Sequence, residues 1–276
     1  MSGLLTETVI EPGRIERHYW RDLWHYRELF LFLTWRDVVV RYKQTVIGIA
    51  WAVLRPALTT LAFTIVFGKL AQLPSAGAPY ALLVAAAILP WQFFASSFSD
   101  ASNSLINNAS MISKVYFPRI IIPASAVMVG LVDLFFTGII LMALMIWYGV
   151  MPDWRVLTLP LFVLLAFAIA IGAGLWFGAL NVKYRDFRYV VPFVVQFGLY
   201  VSPVGFSSTI VPERWRLVYA LNPMVGVIDG FRWALLGTPE PIYVPGLFIA
   251  CAVTSAVLFT GIAFFRRTEK SFADVI

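Results

Sequence analysis

Apolar residues are not spread evenly along this chain. They gather in six blocks, at 46–67, 80–98, 120–150, 156–182, 189–206 and 242–265, separated by polar or semi-polar connections. A helix crossing a bilayer needs about 20 apolar residues, with a range of ~17–25, so each block predicts a spanning helix. The third is long enough to tilt or kink. The fifth is short and bracketed by Pro192 and Pro203. Ahead of the blocks, residues 1–27 are polar, irregular and broken by Pro12 and Gly13. Residues 28–44 have helical period: Leu31, Trp35, Val38 and Tyr42 share one stripe, with Val39 beside it. Thr34, Asp37, Arg41 and Gln44 occupy another face. That pattern fits an amphipathic helix lying in the membrane interface, and it also fits a surface helix packed on its own protein.

The pattern therefore predicts an all-α integral membrane protein. Residues 1–45 form a cytoplasmic segment with an interface helix, 46–265 a six-helix transmembrane domain and 266–276 a cytoplasmic tail. Composition agrees: 60% of the 276 residues are hydrophobic and 13% charged, where a soluble domain carries about 25% charge. Mean hydropathy is +0.81. The single cysteine, Cys251, lies in an apolar run, which excludes a disulfide framework and a cysteine metal cluster. No apolar stretch near the N-terminus has the form of a cleavable signal.

Charge then orients the helices. With the N-terminus inside, the inner segments hold Arg14, Arg17, Arg21, Arg27, Arg36, Arg41 and Lys43, then Lys114 and Arg119, then Lys183, Arg185 and Arg188, then Arg266, Arg267 and Lys270. The outer segments hold only Lys69, Arg155, Arg214, Arg216 and Arg232. The positive-inside bias places both termini in the cytoplasm. It also accounts for the net charge of +6 without nucleic acid.

Several chemistries are absent from the sequence. There is no GxxxxGK[ST] phosphate-binding loop. His18 and His25 lack the spacing of a metal site, and no paired carboxylates lie inside the blocks. Two ionisable residues sit deep in apolar blocks, Arg55 and Asp133. Each needs the bundle interior, a water-filled space or a counter-charge, and the two could pair with each other. Arg55 could instead reach back to the near headgroups.

Three further stretches carry functional candidates. Between blocks two and three, Asp100 or Ser102 can cap a short helix at about 100–115. Its small apolar stripe, Leu105, Ala109 and Ile112 with Ile106 beside it, suits a groove on a partner. A merely polar loop is the plainer reading. The stretch 207–243 is semi-apolar and punctuated by Pro212, Asn222-Pro223 and Gly237-Thr238-Pro239, which predicts two short helices at about 213–221 and 224–236. They cover the short fifth block or act as a gate, with Trp215, Tyr219, Asn222, Pro223 and Phe231 as gate candidates. The chain also holds 44 aromatic residues. Trp51, Phe63, Trp91, Phe93, Phe94, Phe98, Phe197 and Tyr200 lie in or beside blocks one, two and five. Flat apolar faces suit sugar rings and helix packing alike.

Taken in order, RYKQTVIGIAWAVLRP (41–56), KVYFPRIIIP (114–123), NVKYRDF (181–187), SPVGF (202–206) and LNP (221–223) resemble the membrane-spanning permeases of bacterial polysaccharide ABC exporters, the type-2 ABC permeases that export O-antigen and related glycans. The likeness covers nearly all of the chain after residue 20. It implies a homodimer in the bacterial inner membrane with two ABC ATPase subunits, which would carry the ATP and Mg. No cofactor or metal is expected on this chain, which would be a transport subunit and not an enzyme. The stretch 99–115 would be the ATPase-coupling helix, with Asp100, Ser102, Leu105, Ile106, Ala109 and Ile112 as coupling candidates. Blocks one, two and five would line the channel, with Arg55 and the aromatic residues above as lining candidates. The cargo would be undecaprenyl-diphosphate-linked polysaccharide. Arg41 and Lys43 are candidates for its diphosphate, because of where they enter the membrane. No glycan-reading domain is expected on this chain. Other readings are a type-2 ABC permease for teichoic acid, capsule or another lipid-linked cargo, a secondary transporter, which would want intramembrane carboxylates and inverted repeats, and a membrane-embedded transferase, which would want a catalytic cluster.

Overall fold

The computed structural model describes residues 19–43, 46–75, 77–184, 186–237 and 242–272; the side chains of 46–53 and of Ser271 fall outside that description. Trp51 is among those side chains, and most of the N-terminal segment and the end of the tail lie outside the described residues. The described secondary structure is helical throughout. Two helices precede the first apolar block: α1 (Tyr19–His25) and α2 (Arg27–Lys43). The first of these lies within the stretch expected to be irregular. Its ring Tyr19 is buried, and the Tyr19 hydroxyl donates to Glu269 at 3.1 Å, so long-range packing fixes a segment with no periodicity of its own.

Helix α3 (Val46–Phe63) contains Pro56 and runs on as a π-helix over Thr64–Leu70. Helix α4 (Tyr80–Asn107) is followed by one turn, α5 (Ala109–Ile112), then by α6 (Ile121–Trp147). A 3₁₀ turn over Trp154–Thr158 leads into α7 (Leu159–Lys183), and α8 (Phe187–Val201) follows. The remaining helices are α9 (Glu213–Tyr219), α10 (Pro223–Leu236) and α11 (Val244–Thr268). Among the described residues four segments are long and apolar enough to cross a membrane: α4, α6, α7 with its leading turn, and α11. Of the six expected spans these four are met; α8, at 15 residues, is below crossing length, and the first expected span falls in part on residues 46–53, whose side chains lie outside the description.

Helix α4 is the hub. Every residue from Leu82 to Trp91 is buried, as expected of a helix that is apolar on all sides. It packs on α3, α6, α7, α8 and α10. Small residues set the closest approaches. A Cβ on Gly174 would lie 2.6 Å from Ala101 Cβ, and one on Gly172 would lie 2.8 Å from Leu258 Cα in α11. Close backbone contact of this kind is how helices associate where lipid removes the hydrophobic drive.

Two clusters of buried side chains form the core. The larger fills the bundle between α4, α6, α7 and α10. The smaller sits at the α2 end and joins Tyr19, Leu33, Leu105, Ile112, Ile121, Phe265 and Phe272. This second layer corrects the reading of the stretch 99–118. Residues 99–107 continue α4 without a break, so Asp100 and Ser102 are helix-interior residues and cap nothing. The Ser102 hydroxyl donates back to the Phe98 carbonyl at 2.7 Å. Leu105 and Ile112, expected to need a partner's groove, are buried in the chain's own second cluster. Asn107, Ser110, Ser113, Lys114, Val115 and Tyr116 are what this corner exposes.

Candidate functional site

Helix α2 turns Leu33, Arg36, Arg41 and Tyr42 toward the bundle, while Leu31 and Trp35 of its apolar stripe are exposed. Four polar contacts dock that face. Arg36 Nη2 donates to Asn108 Oδ1 at 3.0 Å, at the end of α4. Arg41 Nη1 donates to Asp133 Oδ2 at 2.6 Å, and Arg41 Nη2 donates to Asp100. The Tyr42 hydroxyl also donates to Asp133. One guanidinium thus joins α2 to α4 and α6. Burial disfavours its charge, but the two carboxylates outweigh that and hold Arg41 above the usual arginine value. Burial, with the bond to Asp133, likewise pushes the Tyr42 phenol up. Asp133 therefore pairs with Arg41, not Arg55. It lies halfway along α6, where the end of α2 meets that helix.

The Arg41 cluster closes one end of a cleft of about 740 Å³ between α3, α4, α6 and α8. Arg55 and Thr59 line it from α3, Trp91, Gln92 and Phe93 from α4, and Gln196 from α8. Helix α8 is two-faced. Pro192, Val195, Gln196 and Leu199 face the cleft, while Tyr189, Phe193, Phe197 and Tyr200 form an exposed aromatic stripe. The Phe193 and Phe197 rings stack at 5.8 Å. Of the lining candidates, Arg55, Trp91 and Phe93 come together at the cleft. Phe94 and Phe98 are buried in the bundle and stack on one another at 5.7 Å, and Phe63 packs on Phe67 at 5.3 Å. Phe197 and Tyr200 face outward. Lys43 is exposed at the end of α2.

A second pocket, of about 530 Å³, opens at the far end between α9, α10 and α11. Both short helices fall on the expected stretches, with α10 beginning one residue earlier, at Pro223. The Asn222 side chain caps α10 by accepting from Met224 N at 3.1 Å, with Pro223 at the first helical position. Asn222 Nδ2 also donates to Ser202 Oγ at 2.9 Å. Phe231 is buried in the bundle core, Trp215 is exposed, and Tyr219 lines the pocket.

Arg232, counted from the sequence among the charges of the outer segments, is buried in α10. It donates to the carbonyls of Leu83, Phe206 and Val204 at 3.0, 2.9 and 3.1 Å. The turn at 202–206 is held from both sides, since the Tyr80 hydroxyl donates to Gly205 O. The available signal was an arginine standing alone between Phe231 and Trp233 in an apolar helix. Among the described residues no group of three or more His, Cys, Asp or Glu is placed to hold a metal ion.

A helical chain with four membrane-length helices among its described residues, one of them the apolar hub α4, is a multi-pass integral membrane protein, and it has two recesses whose mainly apolar linings carry a few polar groups. The profile of the ABC-2 type transporter family matches residues 28–236, and the chain belongs to that family. It is similar to the O-antigen export system permease protein RfbA of Klebsiella pneumoniae, at 28% identity over 253 residues, which covers 90% of this chain and 95% of the relative. The Myxococcus xanthus protein of the same name is 27% identical over 258 residues, 93% of this chain and 98% of the relative. The polysialic acid transport protein KpsM of Escherichia coli is 22% identical over 249 residues, 87% and 93% respectively.

Proposed function

We propose that this chain is the membrane subunit of an ATP-driven exporter of undecaprenyl-diphosphate-linked polysaccharide of the O-antigen kind. Two copies would assemble with two ABC ATPases in the bacterial inner membrane, both termini facing the cytoplasm. The observation that carries the reading is the cleft between α3, α4, α6 and α8, whose lining combines a cation, amides and aromatic rings, in a chain that matches O-antigen export permeases over nine-tenths of its length.

The two-faced α8 supports the pairing of copies. Its outer stripe of Tyr189, Phe193, Phe197 and Tyr200 would meet the second copy or line the passage between them. ATP and Mg would bind on the ATPase partners. Their closure would press on the exposed corner at Ser110–Tyr116 and on α2. Because Arg36 and Arg41 tie α2 to α4 and α6, that push would move the two long helices as one body. The short helices α9 and α10 would close the far end at rest.

Deletion of the gene is expected to abolish the surface glycan, and the wild-type gene to restore it. An affinity-tagged permease should co-purify with an ABC ATPase at two copies each. Intact surface glycan in the deletion strain would sink the export reading. The similarity to a polysialic acid transport protein favours capsule as the second reading for the cargo. Glycan analysis of the deletion strain separates the two.

A further inference from the structure

We infer that the diphosphate of a lipid-linked substrate is taken by Arg55 inside the α3–α4–α6–α8 cleft, with the side-chain amides of Gln92 and Gln196 as its neutral donors. This rests on the export reading and assigns its headgroup site.

The cations of the region are not equally available. Arg41 is bridged to Asp100 and Asp133. A phosphate could reach it only by displacing a carboxylate, which would then stand half-buried without its partner, and such an exchange is costly. Arg36 is engaged with Asp37 and Asn108. Arg55 differs. Among the described residues its guanidinium makes no hydrogen bond or ion pair, yet it lines the same cleft. It lies nine positions beyond the start of α3, about 14 Å along the helix axis. An unpartnered cation within an apolar segment is expensive unless it meets water or an anion, and intramembrane charges accordingly mark substrate paths.

The neutral donors follow the same logic. Thr59 and Ser96 line the cleft, but their hydroxyl protons are committed to the carbonyls of Arg55 and Gln92. The amides of Gln92 on α4 and Gln196 on α8 donate to no described residue. Each amide carries two N–H donors, and a guanidinium carries a planar fork that matches two phosphate oxygens. Arg55, Gln92 and Gln196 therefore offer donors from three different helices to one space. A diphosphate is the anion that can use them together, and the saccharide attached to it would lie along Trp91.

The test uses the full chain in nanodiscs, with geranylgeranyl diphosphate as probe, geranylgeraniol as the uncharged match and inorganic pyrophosphate as the free anion. Wild type should bind the diphosphate at least tenfold more tightly than the alcohol. Arg55→Gln should weaken diphosphate binding about tenfold and leave alcohol binding and melting temperature unchanged. Arg55→Lys, which keeps the charge but not the fork, should fall between them. Gln92→Leu combined with Gln196→Leu should weaken binding several-fold. Equal binding by wild type and Arg55→Gln overturns the assignment, as does a wild type that does not distinguish diphosphate from alcohol. Loss on Lys43→Gln with Arg55→Gln unaffected moves the site to the end of α2 and also overturns it. Pyrophosphate competing as strongly as the lipid would make this a free-anion site and overturn the lipid assignment. None of these outcomes touches the export reading, which stands or falls on the surface glycan of the deletion strain.

Discussion

Arg41 and Asp133 meet at 2.6 Å across 92 positions of sequence, and their contact fastens α2 to the midpoint of α6. Asp100 completes the bridge from α4. The three side chains are about one-quarter to one-third exposed, so the cluster is neither a surface ion pair nor a dry one. A hydrogen bond to a charged group contributes about 1.5–3 kcal/mol. Arg41→Gln and Asp133→Asn should each lower the thermal stability of the purified permease. The double mutant should lose less than the sum, with a coupling of ~1–2 kcal/mol in a denaturation cycle. Additive losses would show that the two groups act separately.

Arg232 makes a sharper case. Replacing it with Met removes a cation but strands the carbonyls of Val204 and Phe206 and leaves the 202–206 turn held only by Tyr80 and Asn222. Each buried acceptor left unpaired costs about 1–3 kcal/mol. Arg232→Met should destabilise the protein by ~3 kcal/mol or more and reduce the amount recovered from membranes. Arg232→Lys, which can reach fewer of the three carbonyls, should retain part of the loss. Melting in detergent, followed by fluorescence, measures both.

The seam between α7 and α11 can be probed by adding one methyl group. At Gly172 the new carbon meets the Leu258 backbone, which cannot swing aside, so Gly172→Ala should cost ~1–3 kcal/mol. A methyl group on Gly138 in α6 would meet nothing within 4 Å. Gly138→Ala should therefore be neutral, or stabilising by up to about 1 kcal/mol, since alanine favours the helix. Equal effects at the two sites would argue against close α7–α11 packing.

The exposed corner after α5 carries the proposed ATPase contact. Val115 is 55% exposed and supports neither core cluster. Val115→Asp should leave expression and melting temperature near wild type and abolish co-purification of the ATPase. Retention of the ATPase would place the contact elsewhere, with α2 as the next surface to test.

The helices α9 and α10 were legible because local chemistry dictates them: Pro212 precedes one, Asn222 caps the other, and Gly237 ends it with φ of +58°. The long apolar helices were legible by length and composition. The end of α4 was not. Asp100 and Ser102 look like caps in a Ser- and Asn-rich stretch, and what keeps the helix going there is tertiary: Arg41, 59 positions away, takes the Asp100 carboxylate. The same distance hid the choice between Arg41 and Arg55 as partner of Asp133. Spacing along one helix reveals its faces but says nothing of which foreign side chain each face will meet. Arg232 was missed for a related reason, because its three acceptors are backbone groups, which leave no mark in a residue pattern.

Helix α4 is unbroken over 28 residues, about 42 Å, despite Pro90. One arginine grips it at Leu83 and another at Asp100, about 25 Å apart. A rod held at two points behaves as a rocker. A tilt of roughly 5° about the Asp100 grip moves the Leu83 grip, which lines the pocket beneath α9, by about 2 Å. Shifts at the Asn108 end would then reach the Arg232 end without any helix having to unwind.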